Sequence, residues 1–291
     1  MNKDTFSIEQ AAEKFSPTKD FFDVSAIWAK RPALKIVGWI YNTTITPPQV
    51  TVVALVFGIA AAYFVAQVEY LYLCVGAIFI QIKNILDTVD GHLARARNTP
   101  SRIGRFLDSI IDFITNLALF IAIGLHLTGQ YSPAEILALC VAAFLSSNLQ
   151  CSYFVFYTMS YTHCINRETK SRVDESIQEE DYAVYNDPYK QKILIILQKL
   201  FLLFYGWQDR IMIKIDRWSL KYFDELPSNW YLNKKLLTMT SWLALGMQLF
   251  FISLSALLNQ LYFYLWFVIV AGNLYLLFLI YYRMKGKSWK I

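Results

Sequence analysis

Residues 87–112 read DTVDGHLARARNTPSRIGRFLDSIID, and the fold and the chemistry are both decided there. Four carboxylates, Asp87, Asp90, Asp108 and Asp112, follow one another at spacings of three, eighteen and four. Residues three or four apart share a face of a helix, so Asp87 and Asp90 form one pair and Asp108 and Asp112 another. Between the pairs, Asn98 to Gly104 (NTPSRIG) carries the Pro and Gly that break helices and permit a turn. A tight helix hairpin would bring the two pairs face to face.

The flanks of this stretch are apolar. The 291-residue chain is 56% hydrophobic and only 17% charged, whereas soluble domains carry about a quarter charged residues. That shortfall places it in the membrane class. Six stretches approach the roughly 20 mainly apolar residues that a crossing takes: about 50–67, 69–86, 106–127, 134–158, 236–258 and 261–282. The second carries Lys83 and ends at Asp87, and the third contains Asp108 and Asp112. The expected fold is all-α, an integral membrane bundle of about six transmembrane helices with an N-terminal amphipathic juxtamembrane helix.

That leading helix falls between Phe21 and about Asn42. Val24, Ile27, Trp28, Ala33, Ile36, Val37 and Ile40 recur at helical intervals, with Lys30, Arg31 and Lys35 opposite. The pattern suits a segment lying in the interface with its cations toward lipid headgroups, and Pro32 is expected to break or kink it. Residues 1–45 thus read as a cytoplasmic tail and interfacial helix. Residues 46–160 form a core of four spans, 161–235 an insertion, and 236–291 the last two spans and a basic tail. Within the insertion, the charged run at 165–192 reads as exposed or partly disordered, and ILIILQKLFLLFYGW as a short interfacial or re-entrant segment that leads into QDRIMIKIDRWSLKYFDELP, another amphipathic stretch.

Charge bias sets the orientation. The loops near 68, 128–133 and 259–260 contain one acid, Glu69, and no Lys or Arg. The opposite side collects Lys30, Arg31, Lys35, Arg95, Arg97, Arg102 and Arg105, with Arg283, Lys285, Lys287 and Lys290 after the last span. By the positive-inside rule both termini and the acid-bearing connection are cytoplasmic. The net charge of +5 is too small to argue for nucleic acid. Cys74, Cys140, Cys151 and Cys164 show no CxxC spacing, so neither a disulfide framework nor a zinc site is expected. His92 is expected to face outward, and His126 and His163 stand alone.

Acids beside a bilayer are costly, roughly 2.5–3.5 kcal/mol each at its centre, and like charges raise one another's pKa. Divalent cations remove both penalties, and an oxygen-rich site favours Mg2+, Mn2+ or Ca2+. Two such ions a few ångströms apart would make the clamp used for displacement at phosphorus. Gly91 and Ala94 then leave room for a bulky ligand against the helix, and Arg95 could pair with a phosphate. Thr88, Thr99 and Ser101 offer hydroxyls nearby. The competing explanation is a network in which the acids pair with Arg95, Arg97, Arg102 and Arg105. Asp112, two turns inside an apolar run, argues against it.

The stretch resembles the signature of the CDP-alcohol phosphatidyltransferase family, DxxDGxxAR, eight residues, then GxxxDxxxD. Asp87, Asp90, Gly91, Ala94, Arg95, Gly104, Asp108 and Asp112 match it without a gap. The resemblance covers about 45–125. It implies attack of an acceptor hydroxyl on the β-phosphorus of a CDP-linked donor, with release of CMP. Asp87, Asp90 and Asp108 would hold two Mg2+ or Mn2+ ions, and Asp112 would be both a ligand and the general base. Gly91, Arg95 and Ser101 would touch the diphosphate, Ala94 would make room for cytidine, and Thr51, in the TPPQVT run, would belong to the cytidine pocket. Pro48 departs from the family's TPN-type opening, and Phe113 stands where several polyol-phosphate-using relatives carry a base. Asp209 and Arg210, in GWQDR, are candidate acceptor contacts.

Three functions compete. The first takes a CDP-diacylglycerol-like donor and a small polar alcohol, in phospholipid synthesis. The second takes a CDP-choline or CDP-ethanolamine donor and diacylglycerol. The third is a divalent-cation path, which would spread acids across membrane depth and break several helices rather than gather them at one edge. A homodimer would suit the family.

Overall fold

The computed structural model describes residues 23–24, 27–165, 175–223 and 230–285. The 1–20 tail, Lys287 and Lys290, and residues 166–174 of the charged run lie outside them. The described residues contain helices, turns and loops and no strand. Six helical segments are long and apolar enough to cross a membrane: Pro47–Val65, Tyr70–Ala96, Arg102–Leu127, Pro133–Ile165, Lys234–Leu257 and Leu261–Met284. They coincide with the six expected spans.

Helix α1, Lys30–Ile40, precedes the bundle. Pro32 does not break it, because Pro32 sits in the first turn, where backbone N–H groups have no intrahelical partner to lose. Its inner face, Ala33, Leu34 and Val37, packs with Val50, Val89, Leu93 and Ala96, while Trp39 on the other face is 76% exposed. Arg97 fastens the exit of α1 through bonds to the carbonyls of Ile40, Tyr41, Thr43 and Ile45. These carbonyls lie at and just beyond the end of the helix, where no intrahelical amide follows to serve them.

Helix α2 (Pro47–Val65), α3 (Tyr70–Ala96) and α4 (Arg102–Leu127) form the tightest cluster. Small residues make it possible: a Cβ added at Gly58 on α2 would meet the Thr115 side chain of α4 at 2.6 Å, and Ala61 and Ala62 are buried beside it. Helix α5 (Pro133–Ile165) packs on α4.

Helix α6, Pro188–Leu220, corrects the two-part reading of the insertion. The short apolar segment and the following amphipathic stretch are one continuous helix of 33 residues, about 50 Å long. The drop in apolar content after Gly206 does not end it, because its buried stripe is partly polar. Leu194, Gln198, Gln208, Met212, Asp216 and Ser219 keep one helical period throughout. The stripe faces α4, α5 and the last span.

The two final spans are both interrupted. Helix α7 (Lys234–Thr240) and α8 (Leu245–Leu257) are joined by a 3-10 turn and an extended Ala244. Helix α9 (Leu261–Trp266) passes into a π turn, Phe267–Gly272, before α10 (Asn273–Met284). Gln150 of α5 donates from Nε2 to the Val268 carbonyl within the π turn at 3.0 Å.

Replacing Gly58 with Val should push α2 from α4 and cost about 1–3 kcal/mol, the usual penalty for overpacking. A lowered midpoint of thermal unfolding in detergent would report it, and an unchanged midpoint would show that the contact yields.

Candidate functional site

The hairpin between α3 and α4 is made locally. Asn98 stops α3 with φ of 53°, a left-handed conformation that Asn tolerates better than most residues. The amides of Asn98 and Thr99 donate to the carbonyls of Arg95 and Ala94, the paired bonds that close a Schellman end. Pro100 follows, and Ser101 caps α4 by accepting from the Gly104 amide at 3.0 Å. Asp87 and Asp90 therefore sit in the last turns of α3, and Asp108 and Asp112 in the first turns of α4.

Asp87, Asp108 and Asp112 converge, with one carboxylate oxygen from each lying within 4.8 Å of the others. Asp90 stands beside them, buried, and accepts from the Thr51 hydroxyl of α2 at 2.5 Å. Asp108 Oδ1 is buried and has no hydrogen-bond partner. A buried carboxylate oxygen without a donor is expensive, and an all-oxygen donor set is what hard divalent cations prefer. The residues present therefore fit Mg2+ or Mn2+.

Lys83, an ammonium outside the signature, bonds two of these acids. One turn before Asp87, it donates to Asp87 Oδ1 at 2.9 Å and also bonds Asp112. Arg97 is spent on α1. Arg102 and Arg105 turn to the insertion, where buried Glu175 pairs with both and buried Asp181 pairs with Arg102. Gln198 of α6 donates to Asp181 at 2.9 Å and to the Glu175 carbonyl at 3.1 Å. The segment 175–183 is thereby strapped across the start of α4.

The remaining residues singled out in the sequence fall around this cluster. Gly91 leaves space that the Arg95 guanidinium fills, 3.2 Å from where a Cβ would stand, and Arg95 is in electrostatic reach of Asp90 and Asp108. The Thr88 hydroxyl bonds back to the Asn84 carbonyl at 3.0 Å. Ala94 is half-buried one turn after Asp90. Ser101 is committed as a cap. Asp209 and the exposed Arg210 lie in the middle of α6. His92, expected outside, is 7% exposed, with Nδ1 2.8 Å from the Thr88 carbonyl and 3.1 Å from Arg95. Its place on the buried stripe with Val89, Leu93 and Ala96 explains the difference.

Several contributors escaped the sequence reading. Phe113 stacks on Phe204 with centroids 4.3 Å apart, and the Tyr205 hydroxyl donates to the Ser109 carbonyl at 2.9 Å. Burial first, and then the negative charge of Asp112, raise the pKa of that hydroxyl well above the ordinary tyrosine range, so it remains a donor. Farther along α6, buried Asp216 accepts from Tyr157, Trp230 and Tyr231 at 2.9, 2.9 and 2.7 Å, beside Arg283 stacked on the Tyr157 ring. The helical period linking Gln198, Gln208 and Asp216 was the available signal.

Comparisons with known proteins bear on this geometry. A family model described as CDP-alcohol phosphatidyltransferase matches residues 44–220, well beyond the 45–125 expected and ending with α6. The chain is 37% identical over 82 residues to a bifunctional IPC transferase and DIPP synthase of Aquifex aeolicus, which covers 28% of this chain and 18% of that protein. It is 33% identical over 97 residues to an archaetidylinositol phosphate synthase of Pyrococcus horikoshii, covering 33% of this chain and 50% of the relative. A Thermococcus kodakarensis protein, also named bifunctional IPC transferase and DIPP synthase, is 40% identical over 68 residues, which is 23% of this chain and 15% of its own. The matches thus span half or less of each relative's length.

Replacing Asp181 with Ala should leave Arg102 and Gln198 short of a buried partner and loosen the strap, because breaking a buried ion pair costs about 3–5 kcal/mol. Amide exchange in 175–183 should quicken well before global unfolding. Exchange at the wild-type rate would show that the strap is held by other contacts.

Proposed function

We propose, from the premise that this chain belongs to the CDP-alcohol phosphatidyltransferase family, that it moves phosphatidyl from CDP-diacylglycerol to a small polar alcohol and releases CMP. The observation that carries this reading is the convergence of Asp87, Asp108 and Asp112 at the end of two spans, with Asp108 Oδ1 buried and without a donor. The relatives' names, a transferase and two kinds of synthase including one of archaetidylinositol phosphate, agree with transfer chemistry on lipid precursors.

Asp87, Asp90, Asp108 and Asp112 would hold the divalent ions, Mg2+ or Mn2+ and two in number. When bound, these would supply positive charge against the donor's diphosphate and the CMP that leaves from it. Thr51 fixes the Asp90 carboxylate from the neighbouring helix. Arg95, seated over bare Gly91, takes a phosphate oxygen, with Ala94, Thr88 and the Ser101 turn around the nucleotide. Asp112 is 19% exposed at its side chain, so an acceptor hydroxyl can reach it. The hydroxyl oxygen bonds to the β-phosphorus, its proton passes to Asp112, and the bond from that phosphorus to the oxygen of CMP breaks. A base in hydrogen-bond reach of the proton contributes about 100-fold or more.

The acceptor side is aromatic. Phe113, stacked on Phe204, occupies the position where several polyol-phosphate-using relatives carry a base, which supports an acceptor without a phosphate group. The loop charges support a cytoplasmic side for the acids and both termini, where a lipid donor would keep its chains in the bilayer while its headgroup reacts.

Purified protein supplied with Mg2+ or Mn2+, CDP-diacylglycerol and a panel of phosphorylated and unphosphorylated alcohols should release CMP with one of the latter. Asp112→Asn should lower that rate by about 100-fold or more while Mn2+ binding persists in part. Wild-type turnover in the variant would remove Asp112 as the base. Lipid labelled from CDP-choline or CDP-ethanolamine, and none from CDP-diacylglycerol, would reverse the donor.

A further inference from the structure

The chemistry above leaves the buried charge beside the acids unused. Lys83 is 1% exposed and lies one turn before Asp87 on α3, inside the span that the sequence shows as interrupted by a charge. Its ammonium donates to Asp87 Oδ1 at 2.9 Å and bonds Asp112 Oδ1 across the helix hairpin. Those are two of the three acids whose oxygens converge, whereas the third, Asp108, has a buried oxygen without a donor. A buried ammonium needs charged partners, and so do buried carboxylates. The i, i+4 spacing to Asp87 keeps the lysine at this place whenever α3 is helical.

We propose that Lys83 is a built-in counter-ion of the acid site: in metal-free protein it holds Asp87 and Asp112 together, and a divalent ion bound at the acids would compete with it. The inference rests on reading Asp87, Asp108 and Asp112 as metal ligands. Lys83 is then a positioning residue with two opposed effects. It stabilises the apo hairpin by neutralising acids that would otherwise repel one another. It weakens divalent-ion binding, because the oxygens it occupies are oxygens that the ion uses. A lysine with a merely structural role would contribute only the first effect. The second distinguishes them, because removing the ammonium should improve metal binding while it harms the metal-free fold.

The test compares the full-length wild type with Lys83→Met, which keeps the length of the chain, and Lys83→Gln, which keeps polarity. Free Mn2+ is followed by electron paramagnetic resonance during titration, and thermal unfolding is recorded with and without Mn2+. Both variants should unfold at lower temperature without metal, bind Mn2+ roughly tenfold or more tightly, and gain more from Mn2+ in unfolding temperature than the wild type does. A variant that folds only when Mn2+ is present supports the same conclusion. Unchanged or weaker Mn2+ affinity in a folded variant overturns the inference, as does failure of both to fold even with Mn2+. Wild type that binds no Mn2+, or Asp108→Asn that binds it as the wild type does, would instead sink the metal-site reading beneath it.

Discussion

Carboxylates gathered at one helix hairpin repel one another, and Lys83 bonds two of the four at once. Lys83 reaches Asp87 on its own helix and Asp112 on the next, so the pairing is also a tie between α3 and α4. The Schellman end at Asn98 and the Ser101 cap turn the chain sharply enough for that tie to form. The close approach of Gly58 to Thr115 then brings α2 in, and with it the Thr51 hydroxyl that meets Asp90. Loosening any of these contacts would let like charges separate the helices.

The arginines of the signature region hold the frame around the acids. Arg97 closes the end of α1, and Arg102 and Arg105 fasten the strap whose Glu175 and Asp181 come from the insertion. Helix α6 completes the wall through Phe113, Phe204, Tyr205 and Gln198. The described part of the insertion, 175–220, thus packs with the spans, which agrees with a family match that runs to the end of α6.

Apolar length and the acid spacing made the six spans, the hairpin and the four acids legible before any coordinates. Both signals are local: hydropathy needs a window of about 20 residues, and side-chain register on a helix needs four. What escaped depends on partners far apart in the chain. Lys83 read as a flaw in a span because its second partner lies 29 residues away. Glu175 and Asp181 looked like part of an exposed charged run, although each finds an arginine 70 or more residues earlier. Helix α6 was divided because its buried face carries Gln198, Gln208 and Asp216, polar residues whose burial only their partners explain. Pro32 and His92 went astray for a simpler reason: their positions within a turn and on a stripe decide their roles, and residue type alone does not.

The central claim is that Asp87, Asp108 and Asp112 surround a divalent ion, and its most direct measurement is anomalous diffraction from crystals of the full-length protein soaked in Mn2+. A peak among those three carboxylates, within coordinating distance of Asp108 Oδ1, is expected. A peak elsewhere with none among them, or their oxygens bonded to Lys83 and other protein donors alone at saturating Mn2+, would contradict it.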